Sequence, residues 1–569
     1  MDQQETEAAS EIVLLAEAQR YPQDQEPACV FCGRYGEYIC DKTDEDVCSM
    51  ECRDRATERA AHRELQRKFG MTVSGAGIDL PLATEFHQLK LHEDLRYNMR
   101  IEGYHHPTPV QMQVLPHALN HRHVVVHSPT GTGKTMAFLI PLVSYVMEHR
   151  FDVDDHRILG LVIAPIRELC VQLETQAKTL MAGITKMKTA LLVGGVPMPN
   201  QLHRLHKGVQ VVIATPGRLE EHLAQHQLDL SHVVCCVLDE VDMLLDRQAG
   251  FADVIGAILT HMPQEKQMLL VSATITPAVR AFAQAKLHEA IQIEVGAAIG
   301  KAHGGLSVTA KQDVQYMVSP EAKKRHLFDW LRTTSREDTD VSILVFVASK
   351  QGADMLAKSI VQSCDMIALS IHGDKTQTQR LAILQSFVDH HAPVLVSTYL
   401  LGRGMDLLHV DHVVVFDMPP TIHGTRRVDL CFLTSAEYIH LVGRAGRRSK
   451  DDNDDDASPA GLATVYLGAE NAPLFRDLIP LWRASDVAIP SEVLQECIRQ
   501  RTLALSQRQN QVQDESKRAF RATQEVTNQA SKWQQWTQTK RKEVTTVVVQ
   551  AETQHKKFKF ISSHPFEKV

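Results

Sequence analysis

Five short aliphatic runs, HVVVH, LGLVIAP, VQVVIATP, VVCCVLDE and QMLLVSAT, recur between residues 123 and 274. Each is followed by a polar or Gly-containing turn and then a helical pattern. Strands this uniformly apolar are buried on both faces, and strands alternating with helices build a parallel sheet covered on two sides. After GAAIGKAHGGLSVTAKQ the series restarts with VSILVFVAS, MIALSIHG, PVLVST, HVVVFDMP and GLATVYLG. The expected fold is α/β, two doubly wound domains in tandem. At 569 residues the chain exceeds what one core usually serves, so a multidomain reading also fits its length. The expected boundaries are a disordered tail over 1–26, a cysteine-rich finger over 27–62 and a linker over 63–84. The first α/β domain then spans 85–299, an interdomain linker 300–312 and the second domain 313–485. A basic, Gln-rich tail, part helical and part disordered, closes the chain over 486–569.

The motif HSPTGTGKT directly follows the first strand and precedes a helix-forming run. Gly131 and Gly133 let the backbone wrap a phosphate with its N–H groups, at the positive end of the following helix. Lys134 is placed to reach the β- and γ-phosphates, and the Thr135 hydroxyl to ligate Mg²⁺. Ser128 stands where the strict phosphate-loop pattern has its first Gly. A second strand ends in acids, VVCCVLDEVD. At the C-terminal edge of a parallel sheet, Asp239 can hold the water shell of Mg²⁺, and Glu240 can orient and deprotonate an attacking water. The two motifs together imply hydrolysis of a nucleoside triphosphate.

Five of the eleven cysteines lie between Cys29 and Cys52. Cys29 and Cys32 form a CxxC pair, Cys48 and Cys52 a CxxxC pair, and four thiolates so spaced fit a tetrahedral zinc site that closes a fold too small for its own core. Disulfides are the alternative, but the acidic start MDQQETEAASEIVLL lacks the layout of a signal peptide. The remaining cysteines are scattered or sit in apolar runs, as in a reducing compartment. The expected location is nucleus and/or cytoplasm, not secreted. Composition, 44% hydrophobic and 23% charged with net charge −8, is ordinary, and no apolar run approaches membrane-spanning length.

The ordered motifs from Phe86 onward, GYHHPTPVQ, SPTGTGKT, APIREL, the glycines 194 and 195, TPGR, DEVD, SAT, HGD, RGMD and HLVGRAGR, resemble those of a DEAD-box RNA helicase, over roughly Phe86 to Ser485. CGRYGEYICDKTDEDVCS further resembles the HIT-type zinc finger at the front of one subfamily. The resemblance implies two RecA-like domains, ATP as nucleotide with Mg²⁺, zinc in the finger, and RNA as partner. Phe86 and Gln111 would read adenine, and Ser128, Thr130, Gly131, Thr132, Gly133, Lys134 and Thr135 would hold the phosphates. Asp406 would help hold the nucleotide. Arg444 and Arg447 would be arginine fingers supplied by the second domain. Asp242, Ser272, Thr274 and His440 would couple the phosphate site to RNA grip. Contacts to RNA, mostly to sugar and phosphate, would come from Arg167 and Glu168, Gly195, Thr215 and Arg218, then Gly373, Thr398 and Arg403. HIT fingers bind two zincs with eight ligands. Here the first site is whole, whereas of the second set only Cys40 is clear, with Thr43 in its partner's place and His62 a distant candidate. One zinc is expected, with Cys40 a packed thiol and the finger a protein-docking module.

Four departures stand out: Val241 for Ala, Ile166 for Thr, Tyr399 for Asp and Leu441 for Arg. None removes a group required for hydrolysis, though together they bear on the strength of duplex unwinding. Gly424–Ala436 is a surplus of thirteen residues against the family pattern; a surface insertion is the alternative, and the favoured reading is a retained intron or gene-model error that kept the frame. Messenger RNA reads across His423–Glu437 distinguish these. The competing reading of the whole chain is a scaffold whose nucleotide-gated clamp binds partners with incidental turnover. A DNA-acting helicase is a third.

Overall fold

The computed structural model describes residues 13–75, 80–129, 131–152, 154, 156–246, 250–296, 310–337, 341–399, 410–418, 438, 441–445 and 461–555. Among these, the first domain is an eight-stranded sheet. Its spatial order is Thr72–Ser74, Ile291–Glu294, Val124–His127, Gln267–Ser272, Cys235–Asp239, Gly160–Ile163, Val211–Ala214 and Thr189–Leu192. All neighbours pair in parallel except the first strand, which runs antiparallel to Ile291–Glu294. Successive side chains alternate between two cores, as a pleated strand requires. Val124, Val126, Val162, Ile213 and Val237 join one, with the helices Pro109–Leu119, Lys134–His149 and Arg167–Leu180. Val125, Leu161, Ile163, Val212 and Leu238 join the other, with Pro216–Ala224, Phe251–Thr260 and Pro277–Lys286. The sheet is doubly wound, and each functional loop leaves the C-terminal end of a strand.

The second domain is a six-stranded, all-parallel sheet in the order Lys311–Tyr316, Leu462–Leu467, His412–Val415, Ile343–Val347, Val394–Thr398 and Ala368–Ile371. Its first strand starts just inside the expected interdomain linker 300–312. Helix starts carry legible caps. The Ser349 hydroxyl accepts from Gly352 N–H at 2.9 Å, and Thr376 with Gln379 forms a capping box.

Two expected boundaries need correction. The linker 63–84 is not a free linker. Helix Met50–Lys68 carries Cys52 in its first turn and continues to the first domain, where Leu65 and Phe69 pack on the core. Gln66 Nε2 donates to Gln113 Oε1 at 3.0 Å, and Thr72–Ser74 then becomes the edge strand. Gly75 makes that approach possible, since a Cβ there would stand 2.7 Å from the Ala290 carbonyl oxygen. The tail expected over 1–26 is likewise not wholly a tail. From Val13 the chain packs on the finger, with Val13 N–H donating to the Tyr38 hydroxyl and the Arg20 guanidinium 3.9 Å from the Tyr35 ring centroid.

The C-terminal residues form a single 65-residue helix, Ser491–His555, about 97 Å long at the standard rise. Leu494–Val569 forms a compact unit separate from Met1–Val493. No described helix is long and apolar enough to cross a membrane.

Candidate active site

The phosphate loop joins strand Val124–His127 to helix Lys134–His149. Gly131 and Gly133 have φ of 81° and 90°, a left-handed backbone that glycine adopts without strain. Gly133 is doubly constrained, because a Cβ would stand 2.7 Å from Gln111 Nε2 and 2.8 Å from Thr108 Oγ1. Lys134 Nζ donates to the Ser128 carbonyl at 2.8 Å, folded back onto the loop. The Ser128 and Thr132 hydroxyls bond each other at 2.7 Å, and Ser128 N–H reaches the Ser272 carbonyl. Thr135 lies in the first turn of the helix.

Asp239 ends its strand, buried, with one carboxylate oxygen accepting from Glu240 N–H at 3.0 Å. Burial, with Glu240 beside it, pushes its carboxyl up to about 7 against the pull of Lys134. A cation there would relieve both penalties, so this acid cluster fits Mg²⁺. Glu240 adopts φ 49°, ψ 51°, an unusual backbone for a non-glycine residue, at the start of the short helix Val241–Leu244. Three of the residues expected to couple are bonded to one another: the Thr274 hydroxyl donates to Asp242 Oδ2, and Thr274 N–H donates to Ser272 Oγ at 3.1 Å. Arg444 is described and buried.

Two expected adenine readers are engaged otherwise. Gln111 is buried, its amide oxygen accepting from Thr108 N–H at 3.0 Å and its Nε2 donating to the Gly133 carbonyl at 3.0 Å. It ties its own helix start to the phosphate loop. Phe86 is packed into the first core.

Four of the expected RNA residues gather at one end of the first sheet. The Arg167 guanidinium lies against the Gly194–Gly195 turn, where a Cβ on either would stand 2.7 Å and 3.0 Å from its nitrogens. Bare glycines are what let it sit there. Arg218 Nη1 donates to the Val196 carbonyl at 3.2 Å, beside Thr215 at the start of helix Pro216–Ala224. In the second domain, Thr398 ends its strand and Gly373 lies beside Lys350. Lys350 Nζ is 2.6 Å from Asp374, and His372 Nε2 is 3.2 Å from Asp354, which steadies the HGD loop.

Glu168 behaves differently from its expected RNA role. Its carboxylate points at the second domain, 2.6 Å from Arg380 Nη2 and 3.0 Å from Gln377 Nε2, with the Glu168 and Arg380 side chains only 1% and 5% exposed. The sequence reading missed Gln377 and Arg380. Their signal was two polar groups at i and i+3 in the first turn of a helix, directly after HGD. Thr130, Arg403, Asp406, His440 and Arg447 lie outside the described residues, as does the surplus Gly424–Ala436.

In the finger, the Sγ atoms of Cys29, Cys32, Cys48 and Cys52 all lie within 4.8 Å of one another, and none is in a disulfide. A tetrahedral zinc with Zn–S near 2.3 Å needs sulfurs about 3.8 Å apart, so the cluster fits zinc. Burial opposes ionisation of Cys29, but the N–H groups of Phe31, Cys32 and Cys48 hold its thiol down at about 7. Gly33, with φ 71°, returns its N–H to the Cys29 carbonyl, closing the knuckle. Cys40 is buried 3.9 Å from the Thr57 hydroxyl. His62 faces Glu58 instead. Among the described residues no second metal cluster forms.

Comparison with known proteins decides the family. Residues 108–282 match the DEAD/DEAH box helicase model, 322–449 the helicase conserved C-terminal domain and 25–54 the HIT zinc finger. The chain is 38% identical to DEAD-box ATP-dependent RNA helicase 41 of Arabidopsis thaliana over 504 residues, covering 84% of this chain and 93% of that one. The chain belongs to the DEAD-box ATP-dependent RNA helicases. The helicase is also 34% identical to the probable ATP-dependent RNA helicase DDX59 of Mus musculus, over 84% of this chain and 78% of that one. S. cerevisiae Dbp5 bound to RNA and ADP BeF3 superposes with a TM-score of 0.58 at 25% identity, covering 71% of the helicase and 93% of Dbp5. Mss116p bound to ssRNA and AMP-PNP shares the fold, with TM-score 0.61 at 24% identity over 74% and 84% of the two chains. This is an RNA-dependent ATPase with ATP as nucleotide, RNA as partner and a zinc-binding HIT finger.

The four departures mostly serve packing. Val241 is fully buried in the second core of the first domain, and Leu441 is buried too. Ile166 packs on the other core, and Tyr399 stacks on Phe346 with centroids 6.3 Å apart.

The zinc stoichiometry is directly measurable. Metal analysis of the purified chain is expected to give about one zinc, and Cys48→Ser to release it and unfold the finger, because binding free energy is folding free energy in such modules. Cys40→Ser is expected to be mild. Two tightly bound zincs would disprove the single-site assignment.

Proposed function

We propose that this helicase closes its two domains on single-stranded RNA and couples ATP hydrolysis to local duplex separation or ribonucleoprotein remodelling. The observation that carries the proposal is the buried Glu168–Arg380–Gln377 contact, made by residues neighbouring Arg167 and Gly195, the pair expected to meet RNA. A motor in which one buried ion pair joins the domains beside the RNA loops can feel both at once. Lys134 would turn from Ser128 to the phosphates, with Thr135 and Asp239 holding Mg²⁺. Glu240 would take the proton from the attacking water as its oxygen bonds the γ-phosphorus and the bond to ADP breaks. Arg444 and Arg447 would neutralise the charge that develops, with Asp406 holding the nucleotide. Thr274 and Asp242 would carry the change to the loops that grip RNA, with Ser272 and His440.

The RNA grip would be to sugar and phosphate, by Arg167, Gly195, Thr215, Arg218, Gly373, Thr398 and Arg403. The helix starts after Ile166 and Thr215, neither capped by the side chain of that residue, would present their first N–H groups to phosphate. The finger would dock a protein: exposed Leu14, Leu15, Val30 and Ile39 lie on or beside it, side chains that suit an apolar partner better than phosphate. Its place of action would be the nucleus and/or the cytoplasm. ATP hydrolysis measured with and without single-stranded RNA tests the motor. At least about tenfold stimulation is expected, and equal stimulation by the same oligonucleotide in deoxyribose would overturn the preference for RNA.

A further inference from the structure

The motor leaves the C-terminal helix unused. Between Lys517 and Lys542 the sequence holds seven basic residues against the single acid Glu525, in a chain whose net charge is −8. Large aromatics interrupt this basic stretch. Trp533 and Trp536 are 68% and 56% exposed, their rings 6.0 Å apart, and Phe520 is exposed as well. Lys532, Trp536 and Lys540 follow at four-residue intervals within one helix, so one face sets an indole between two ammonium groups. Lys540 pairs with Glu543 at 3.2 Å, but both are more than half exposed, and such a pair contributes little. Exposed tryptophans on a solvated helix leave apolar area in water unless something covers it.

We propose that Lys517–Lys542 is a second RNA site, a stacking arm for single-stranded RNA that works outside the motor and needs no nucleotide. The chemistry is that of sequence-tolerant single-strand binders: cations track the phosphates while bases stack on aromatic faces. Charge complementarity selects this occupant. The other candidate is a second copy of the helix, because Ile498, Val526 and Trp533 fall on one seven-residue line. In-register pairing of two copies would set the basic stretch against itself, whereas a polyanion neutralises it.

The test uses the full-length chain without nucleotide, titrated with a uridine-rich 20-nucleotide RNA across a salt series. Trp533→Leu with Trp536→Leu, which keeps helix propensity, is expected to weaken binding at least about fivefold, the low end for one base–aromatic stack. Lys540→Gln, Arg541→Gln and Lys542→Gln together are expected to flatten the log–log salt slope by about 2, since each neutralised phosphate contributes about 0.7 to it on a single strand. RNA is expected to quench tryptophan fluorescence in the parent and much less in the Trp variant. ATP turnover at saturating RNA is expected to stay unchanged in both variants, which separates failure of the arm from failure of the motor. Far-ultraviolet circular dichroism verifies that each variant keeps its helix. Unchanged affinity and salt slope in helical variants would overturn the proposal. So would light scattering that shows a parent dimer, made monomeric by the Trp variant with RNA affinity intact.

Discussion

Replacing Glu240 with Gln is expected to lower RNA-stimulated ATP turnover by more than about a hundredfold, the usual size of a general-base effect, while ATP and RNA still bind. Gln keeps the shape and one hydrogen-bonding oxygen but cannot take a proton from water. The site is suited to such a swap, because Glu240 is only 4% exposed and its backbone conformation is set by the tight turn after the acid strand. The variant is therefore expected to accumulate with ATP and RNA bound and the domains closed. Single-turnover hydrolysis, measured beside binding of a fluorescent ATP analogue, reads the two properties separately. Turnover near that of the parent would remove Glu240 from the role of base.

The second large effect is expected at Arg380. Arg380→Gln leaves the Glu168 carboxylate buried without its cation, and removing one partner of a buried pair typically costs about 3–5 kcal/mol. That cost falls on the closed arrangement, since Glu168 and Arg380 belong to different domains. RNA-stimulated turnover is expected to drop about a hundredfold or more, with each domain's own thermal stability little changed. Glu168→Gln combined with Arg380→Gln is expected to recover part of the loss, because two amides need no counter-charge. A double-mutant cycle reads this coupling. Strictly additive losses would show that the two side chains do not act as a pair.

The fold was largely legible because strands buried on both faces leave an unmistakable trace. Val211–Ala214 is fully buried along its length and reads in the sequence as an unbroken β-branched run. The phosphate loop and the acid strand were legible for a related reason, since their chemistry tolerates few residue types at each step. Partnerships between distant residues were not legible. Glu168 reads as one acid in APIREL, and nothing local says that its charge is answered 212 positions later, by Arg380. Gln111 was assigned to the nucleotide by motif, yet both ends of its amide are used within the protein. A charged, helix-prone stretch looked like a linker because helix Met50–Lys68 is mostly polar, and only Leu65 and Phe69 at its far end betray the docking.

That helix has a mechanical meaning. It is one uninterrupted rod from the zinc knuckle to the sheet edge, held at its far end by Gln66 on Gln113 and by the strand that follows. A partner gripped by the finger, as proposed above, would therefore be bolted to the ATP-holding lobe rather than leashed to it. Such a partner would keep a constant bearing toward the phosphate loop through every cycle, and from its standpoint the other lobe would swing. A cargo placed this way would meet the moving half of the motor at each turnover, as a workpiece clamped in the fixed jaw of a vice meets the sliding one.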